Sequence, residues 1–326
     1  MSEQYPGGFI TRNFPTVSGT SAQGMWTLSQ QAAYQKQGVW PIPFVYPGAR
    51  SVAYFLLSNN ALGYTNRYVY SGNLVTIGAS LAFSAGSGMA AGNSTVGIFA
   101  RGDVTPITNK YNYVPDTTAA ATSMNASVTG TSYGMAASNS TFGIFATGST
   151  GSATSKYTYS GDIVALTNNV NSGFIGQGMG NSSVGIFTLG ASASPANGRN
   201  KYTYSSDSVT SATASAYSGA YYGAGCGTGT IGISAVGFNG AASNLTQKYT
   251  YSSDTSALAT NLTTNTQGTA AAGGDTVGIF VMSNGVKTTN VYTYSGDTVA
   301  VGSNLNAATA PSQSYGASNG TTGVNI

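Results

Sequence analysis

The sequence contains no histidine, and its 326 residues include a single glutamate, Glu3, and a single cysteine, Cys226. These absences exclude a Ser-His-Asp triad, a histidine-based metal site and a spaced pair of glutamates. One cysteine cannot form an internal disulfide, and its setting in GAGCGTG favours a buried structural thiol. We therefore expect a protein that is not an enzyme and that has no cofactor and no metal site.

Charge is scarce as well, since Asp, Glu, Lys and Arg together make up 6% of the chain. The net charge of +3 is spread thinly, without the basic run that would neutralise several phosphates, so nucleic acid is not an expected partner. The N-terminus lacks the basic and apolar regions of a signal peptide, and no window approaches the roughly 18 apolar residues of a membrane span. Membrane insertion is not expected either.

What the sequence has in abundance is glycine (45 residues) and tyrosine (22 residues), together with small polar residues, which favours short strands and tight turns. The motif Tyr-x-Tyr recurs in step with a Gly-Ile-Phe motif. The stretches that contain it, such as KYTYSGD (156–162), begin at positions 67, 110, 156, 201, 248 and 291, which are 43 to 47 residues apart. The Gly-Ile-Phe motif occurs once more near the end, as TGVNI (322–326), which indicates six complete units and a truncated seventh.

Each unit is typical of four short strands. An Ala/Gly/Met strand leads through a polar turn, such as Asn93-Ser94, Asn139-Ser140 or Asn181-Ser182, into the Gly-Ile-Phe strand. After a variable loop the Tyr-x-Tyr strand leads through a Ser-Gly-Asp turn into a fourth strand. The turn chemistry accounts for the Asn-x-Ser sequences without glycosylation.

The stretch KYTYSGD (156–162) shows why this pattern recurs. Side chains alternate along a strand, so both tyrosine rings lie on one face. The aspartate can accept hydrogen bonds from the turn, and the lysine can reach a carboxylate of its own or a neighbouring unit. A constant offset in every unit indicates scaffolding, because a catalytic site needs different residues converging on one place. Calcium binding is the functional alternative for Asp162 and its equivalents, although one carboxylate per unit is too few for a dedicated site.

These units predict an all-β fold, a β-propeller of six to seven four-stranded blades, with a β-solenoid as the alternative. The propeller would span residues 43–326 and follow an N-terminal docking segment, residues 1–42. Two forms of ring closure stay open. Either N-terminal residues such as GGFITRNF (7–14) complete a seventh blade, or six blades close alone and the C-terminal hairpin (315–326) pairs elsewhere.

The units resemble kelch repeats. GNSTVGIFARG (92–102) with NKYNY (109–113), and GNSSVGIF (180–187) with NKYTYSSD (200–207), are more specifically similar to the kelch-like repeats of structural and fibre proteins of tailed bacteriophages. The similarity covers residues 43–326. It implies a structural virion protein, with other virion proteins as partners and location in the virion.

A second resemblance lies ahead of the repeats. GMWTLSQQAAYQKQGVWP (24–41) is similar to a short module of phage virion proteins. Thr27 and Gln30 have capping-box spacing, which predicts a helix over residues 28–37 that Gly38 and Pro41 end. Trp26, Leu28 and Trp40 would then be apolar anchors, packed on the propeller or buried in a docking partner.

Function is expected where the units depart from their consensus, because loops vary without disturbing the blades. These departures lie in the connections between the second and third strands and in the insertion AYSGAYYGAG (216–225). The residues predicted to stack on sugars or to hydrogen-bond to them are Tyr64, Arg101, Asp103, Arg199, Tyr217, Tyr221, Tyr222 and Phe238.

The function expected from these features is a non-enzymatic fibre or appendage that displays a propeller for binding a bacterial surface polysaccharide during host recognition. The alternatives are a purely architectural head-decoration, collar or tail component, and a cell-surface adhesion propeller. After the exclusions above, the catalytic alternative is a polysaccharide-cleaving propeller, in which two aspartates would meet across blades. A homo-oligomer is compatible with a phage fibre, but no heptad run encodes one.

Overall fold

The computed structural model describes residues 17–18, 21–22, 52–57, 63–83, 88–101, 107–125, 134–146, 153–171, 176–190, 197–219, 221–266, 269–282, 287–306 and 314–318. The chain divides into two compact units, Met1–Ala49 and Arg50–Ile326. In the first unit, strands β1 (Val17–Ser18) and β2 (Ser21–Ala22) pair antiparallel. The predicted helix over residues 28–37 and the proposed strand donor at residues 7–14 lie outside the described residues.

Six four-stranded antiparallel sheets form the described part of the second unit, and we number these blades from the N-terminus. Blade 1 contains β3 (Val52–Leu57), β4 (Thr65–Val69), a 3-10 turn (Tyr70–Gly72), β5 (Leu74–Ile77) and the C-terminal β26 (Ser314–Ser318). Blade 2 contains β6 (Gly88–Gly92), β7 (Val96–Arg101), β8 (Thr108–Asn112) and β9 (Thr117–Ala121). Blade 3 contains β10 (Met135–Ser138), β11 (Phe142–Ala146), β12 (Thr154–Thr158) and β13 (Ile163–Leu166).

The last three blades repeat the same order. Blade 4 contains β14 (Gln177–Gly180), β15 (Val184–Thr188), β16 (Arg199–Thr203) and β17 (Ser208–Ala212). Blade 5 contains β18 (Ala224–Gly227), β19 (Ile231–Ala235), β20 (Thr246–Thr250) and β21 (Thr255–Ala259). Blade 6 contains β22 (Thr269–Gly273), β23 (Val277–Met282), β24 (Thr289–Thr293) and β25 (Thr298–Gly302).

The first strands of the blades, β6, β10, β14, β18, β22 and β26, each contact the next around a closed ring. The described side chains of these strands are buried and mostly small, as in the run GMAAG of β6, so that neighbouring first strands can approach closely. Gly178 on β14 shows how closely, because a Cβ there would come within 1.9 Å of the Ala136 carbonyl oxygen on β10. The ring confirms the propeller and excludes the solenoid.

The ring closes differently from both predicted forms. Strand β26, from the C-terminal end of the chain, pairs with β3, with Gly316 opposite Phe55 and Ala317 opposite Tyr54. Strand β26 therefore takes the place of the first strand in blade 1. The number of blades is six, and a strand that is distant in sequence completes blade 1. The motif TGVNI (322–326) lies outside the described residues.

Burial follows the position of each strand in its blade. Third strands alternate between buried and half-buried residues, and fourth strands are mostly exposed. The core lies between blades: on the facing sides of blades 2 and 3, Met89 and Ile98 of blade 2 pack with Phe145 and Tyr157 of blade 3. Each Gly-Ile-Phe strand thus serves two interfaces, because its Ile and Phe side chains point to opposite faces of the sheet.

Candidate functional site

The recurrent Tyr and Asp residues form a clasp between blades. In blade 5 the Tyr249 hydroxyl donates a hydrogen bond to Asp254, which also accepts one from the backbone N–H of Thr213 in blade 4 (2.9 Å). The same arrangement links Thr122 to Asp162 (3.0 Å) and Thr260 to Asp297 (3.1 Å). Burial and the carboxylate bond together raise the pKa of the Tyr249 hydroxyl, as do the equivalent contacts of Tyr157 and Tyr292. These tyrosines are therefore neutral hydrogen-bond donors. The aspartates accept bonds from a tyrosine of their own blade and from the connection of the preceding blade, whereas the sequence predicted turn amides as donors; these contacts are structural.

Two lysines extend the clasp to the following blade. Lys156 of blade 3 lies 2.7 Å from an Asp207 oxygen of blade 4, and Lys201 lies 3.6 Å from an Asp254 oxygen of blade 5. Partial burial acts to raise the pKa of Asp207, but the hydrogen bonds from Lys156 and Tyr202 outweigh it and leave that pKa below its usual value. Within the described residues, no group of acidic, cysteine and histidine side chains could hold a metal ion.

The predicted Asn turns are confirmed and also join blades. The Asn93 side-chain oxygen accepts hydrogen bonds from the backbone N–H groups of Thr95 (2.9 Å) and Val96 (3.0 Å), while its Nδ2 donates to the Ser140 carbonyl of the next blade (3.1 Å). Asn139 and Asn181 repeat this pattern. These side chains are occupied by turn and inter-blade bonds, as turn chemistry requires.

A further inter-blade bond was missed in the sequence. The second residue of every third strand carries a polar side chain that accepts a hydrogen bond from a backbone N–H of the preceding blade's connection. The acceptors are Asn66, Asn109, Ser155, Asn200, Gln247 and Asn290. The sequence contained a signal for this bond, because each acceptor stands two residues before the first tyrosine of Tyr-x-Tyr. The residue type at that position changes between Asn, Ser and Gln, which conceals the repeat.

The predicted ligand-binding residues that the structure describes lie in, or next to, connections at one end of the blades. In a four-stranded antiparallel blade, the turns between strands 1 and 2 and strands 3 and 4 lie at one end, and the other connections lie at the opposite end. We call the latter the loop face. Tyr64 is exposed there (40%), and Arg101 is half-buried at the end of β7. Asp103, Trp26, Leu28 and Trp40 lie outside the described residues.

Arg199 does not lie on the surface that its sequence context predicted. Its side chain is 2% exposed and is directed between blades 4 and 5, because residue 199 begins strand β16 and is not part of the loop that precedes it. The guanidinium is therefore out of reach of a ligand on the loop face. Burial outweighs the attraction of neighbouring groups and lowers the pKa of Arg199 to about 10, so the side chain is still charged at neutral pH.

Three of the predicted residues come together as an aromatic platform, defined as Tyr221, Tyr222 and Phe238. The Tyr221 ring centroid lies 4.7 Å from that of Phe238 and 5.0 Å from that of Tyr222. All three residues are half-buried. Tyr217 lies in the same connection, where its backbone N–H donates to the Ser215 hydroxyl (3.2 Å).

The platform is held by backbone bonds on both sides. Tyr221 and Phe238 form an isolated antiparallel bridge with N–H to carbonyl distances of 3.1 and 2.8 Å. The Tyr222 backbone is left-handed (φ 57°), and its carbonyl accepts a hydrogen bond from the N–H of Thr269 in blade 6 (2.9 Å). Gly237 has φ 75°, and a Cβ there would come within 2.3 Å of the Tyr222 carbonyl oxygen. The rings are thus fixed before any ligand arrives, which lowers the entropic cost of binding.

The sequence around the platform contains no charged residue. Residues 208–247, which include every member of the platform, contain no Asp, Glu, Lys or Arg. The polar side chains of that segment belong to serine, threonine, asparagine and glutamine residues. Such a segment can stack on an apolar ring face and hydrogen-bond to hydroxyls, and it contributes no counter-charge of its own to an ionic ligand.

Cys226 lies below this surface and is fully buried. Burial raises the pKa of its thiol to about 12, and the Tyr294 hydroxyl donates to its sulfur (3.5 Å). A thiol in that environment is not a nucleophile at neutral pH, which agrees with the predicted structural role. In the part of the chain that the structure describes, no helix has the length and apolar character needed to cross a bilayer.

Comparison with known proteins identifies the architecture. No protein-family model matches the chain, and no curated protein sequence matches it. Among solved structures, TolB from Acinetobacter baumannii is similar to it with a TM-score of 0.55 and 12% sequence identity, over 90% of this chain and 71% of that one. At this identity the likeness concerns the fold alone, a six-bladed β-propeller. The kelch type and a phage origin remain expectations from sequence.

Proposed function

We propose that this protein is a non-enzymatic structural protein of a tailed-bacteriophage virion, a fibre or appendage whose propeller binds a glycan on the host surface through the aromatic platform of blade 5. The observation that carries the proposal is the platform itself, where preformed aromatic rings stand in an uncharged segment. Aromatic side chains stack on the apolar faces of sugars, and surrounding hydroxyl and amide groups bond to sugar hydroxyls.

The rest of the propeller supports a display role. Its repeated Asp, Lys and Asn side chains form bonds between blades. The loops are not needed for these bonds, so their sequences can vary without disturbing the blades, and the platform lies in such loops. The lack of histidine and of a second glutamate supports a binding protein over an enzyme. Other virion proteins are the proposed partners of the N-terminal segment.

Binding of the fluorescently labelled protein to host cells, with and without their surface polysaccharide, tests the proposal. We expect saturable binding that needs the polysaccharide and that falls at least tenfold in Tyr221→Ala. Leu258→Ala is the matched control, because Leu258 is 65% exposed on the outermost strand of the same blade. Equal binding by both variants would show that the platform is not the binding site. No binding to any host that the parent phage infects would favour the purely architectural role.

A further inference from the structure

The interface between blades 4 and 5 departs from the repeat at two positions, one on each blade. Residue 199 begins the third strand of blade 4, where the other five blades have Thr65, Thr108, Thr154, Thr246 and Thr289. Residue 234 lies on the second strand of blade 5, where the others have Phe55, Phe99, Phe145, Phe187 and Phe280. One interface has thus replaced a threonine by an arginine and a phenylalanine by a serine.

The arginine lies beside the tyrosine that the missing phenylalanine would contact. In blades 2 and 6 the phenylalanine ring lies 6.5 and 6.3 Å from the ring of the first tyrosine of Tyr-x-Tyr. In blade 5 that tyrosine is Tyr249, and the Arg199 guanidinium carbon lies 5.4 Å from its ring centroid. A planar cation therefore packs on the tyrosine whose equivalents contact a phenylalanine in blades 2 and 6, and the serine replaces that phenylalanine with a small side chain.

The guanidinium is only partly satisfied. Its Nε donates to the Thr188 hydroxyl (3.0 Å) and its Nη1 to the Ser256 hydroxyl (3.0 Å), both neutral groups. Its Nη2 is buried and has no hydrogen-bond partner among the described residues. The Ser234 hydroxyl, on the facing blade, is likewise buried and unpaired among those residues. Tyr249 and Asp254 partly balance the charge of the guanidinium, but the buried Nη2 donor lacks an acceptor. A buried donor without an acceptor is costly, which makes an occupant that accepts hydrogen bonds favourable.

Gln177 adds a third polar group to the same interface. It is in register with Thr188 and Arg199, so the three side chains share the face of blade 4 that meets blade 5. Its amide nitrogen makes a long contact to the Val236 carbonyl (3.4 Å), and its amide oxygen has no partner in the described part of the chain. The interface therefore contains three polar side chains, Arg199, Ser234 and Gln177, each with a buried atom that has no hydrogen-bond partner among the described residues.

We propose that a small monovalent anion of halide size binds in the interface between blades 4 and 5, where Arg199 Nη2 and the Ser234 hydroxyl donate to it. The anion supplies the acceptor that both of these donors lack. The site shares no residue with the aromatic platform and does not depend on the proposed glycan function. Its role is to stabilise one inter-blade interface in an environment that contains salt.

Thermal unfolding in sodium chloride and in sodium gluconate, at equal ionic strength, tests the site. Gluconate is too large for an interface that buries Arg199. We expect the midpoint to be higher in chloride by about 2 °C or more, the scale of a stabilisation near 1 kcal/mol in a chain of this size. The double variant Arg199→Thr/Ser234→Phe restores the repeat residues and should respond equally to the two salts. An equal response of the wild-type protein would overturn the proposal.

A crystal of the wild-type protein soaked in bromide gives a second, independent measurement. Anomalous scattering should show bromide between Arg199 Nη2 and the Ser234 hydroxyl. Water at that position, in crystals that hold bromide elsewhere, would overturn the anion site even if the salt effect were seen. This measurement also decides the question if the double variant does not fold.

Discussion

A single position in each blade, the last residue of the turn between strands 3 and 4, must satisfy two demands. Its backbone is left-handed, with φ between 48° and 68°, and its side chain must accept hydrogen bonds. Asparagine and aspartate meet both demands better than other residues. Asn73, Asp116, Asp162, Asp207, Asp254 and Asp297 occupy the position. Asn73 shows that the acceptor is needed in every blade and the charge is not.

The clasp at Asp254 therefore predicts a contrast between two substitutions. Asp254→Ala removes an acceptor for Tyr249 and Thr213 and strains the left-handed backbone, so we expect a loss of about 2 kcal/mol in the free energy of unfolding. Asp254→Asn keeps the acceptor and should cost less than about 1 kcal/mol, since the ion pair with Lys201 is partly exposed. Chemical denaturation measures both. Equal losses would mean that the charge, and not the geometry, holds the clasp.

At the scale of the element, the first strands of the blades are selected for small side chains more than for β-propensity. Strand β14 reads Gln-Gly-Met-Gly, and β6 reads Gly-Met-Ala-Ala-Gly, although glycine and alanine are poor strand formers. The centre of a propeller brings six such strands together, and a larger side chain would separate them. Sequence repetition identified these segments as strands, but the reason for their composition lies in the ring.

Gly178→Ala tests this packing. A Cβ there would overlap the Ala136 carbonyl oxygen, which belongs to a backbone and cannot rotate away. We expect a loss of about 2 kcal/mol or more in the free energy of unfolding, typical of overpacking in a tight interior. Gly229→Ala is the control, because a Cβ at Gly229 meets no atom within 4 Å. If both variants unfold alike in denaturant, close approach of β10 and β14 is not what restricts residue 178.

At the scale of the whole molecule, the ring closes by a strand and by the same side-chain bonds that join the other blades. Strand β26 pairs with β3 along its length, from Ser314 opposite Leu57 to Ser318 opposite Ala53. Between blades 6 and 1, the N–H of Ser303 donates to Asn73 (2.8 Å) and that of Asn306 to Asn66 (2.7 Å). Closure therefore joins segments more than 200 residues apart, as the separations of 230 and 240 residues show.

Removal of residues 311–326 tests the closure. It leaves β3 with an unpaired inner edge and breaks the ring, so we expect a much lower midpoint of thermal unfolding and a tendency to aggregate. A synthetic peptide of residues 311–326 added in trans should restore a large part of the midpoint by pairing with β3. A truncated protein with an unchanged midpoint would show that the ring does not need β26.

The sequence by itself determined the all-β class, the four strands of each blade and the structural roles of the Tyr, Asp and Asn motifs. These features depend on local periodicity and turn chemistry, which a linear pattern contains. It also indicated the loops that carry the aromatic platform, because departures from a repeat are visible without coordinates. It did not distinguish Arg199 from the loop residues beside it, since one position decides whether a side chain points to solvent or between blades.

Only the tertiary structure decided that six blades close through the C-terminal strand, that Tyr221 and Phe238 meet, and that Arg199 is buried against blade 5. Each of these depends on contacts between residues that are distant in sequence. Their energies come from desolvation and packing across blade interfaces, and a repeat pattern does not show which departures face each other. The ring is what brings them together.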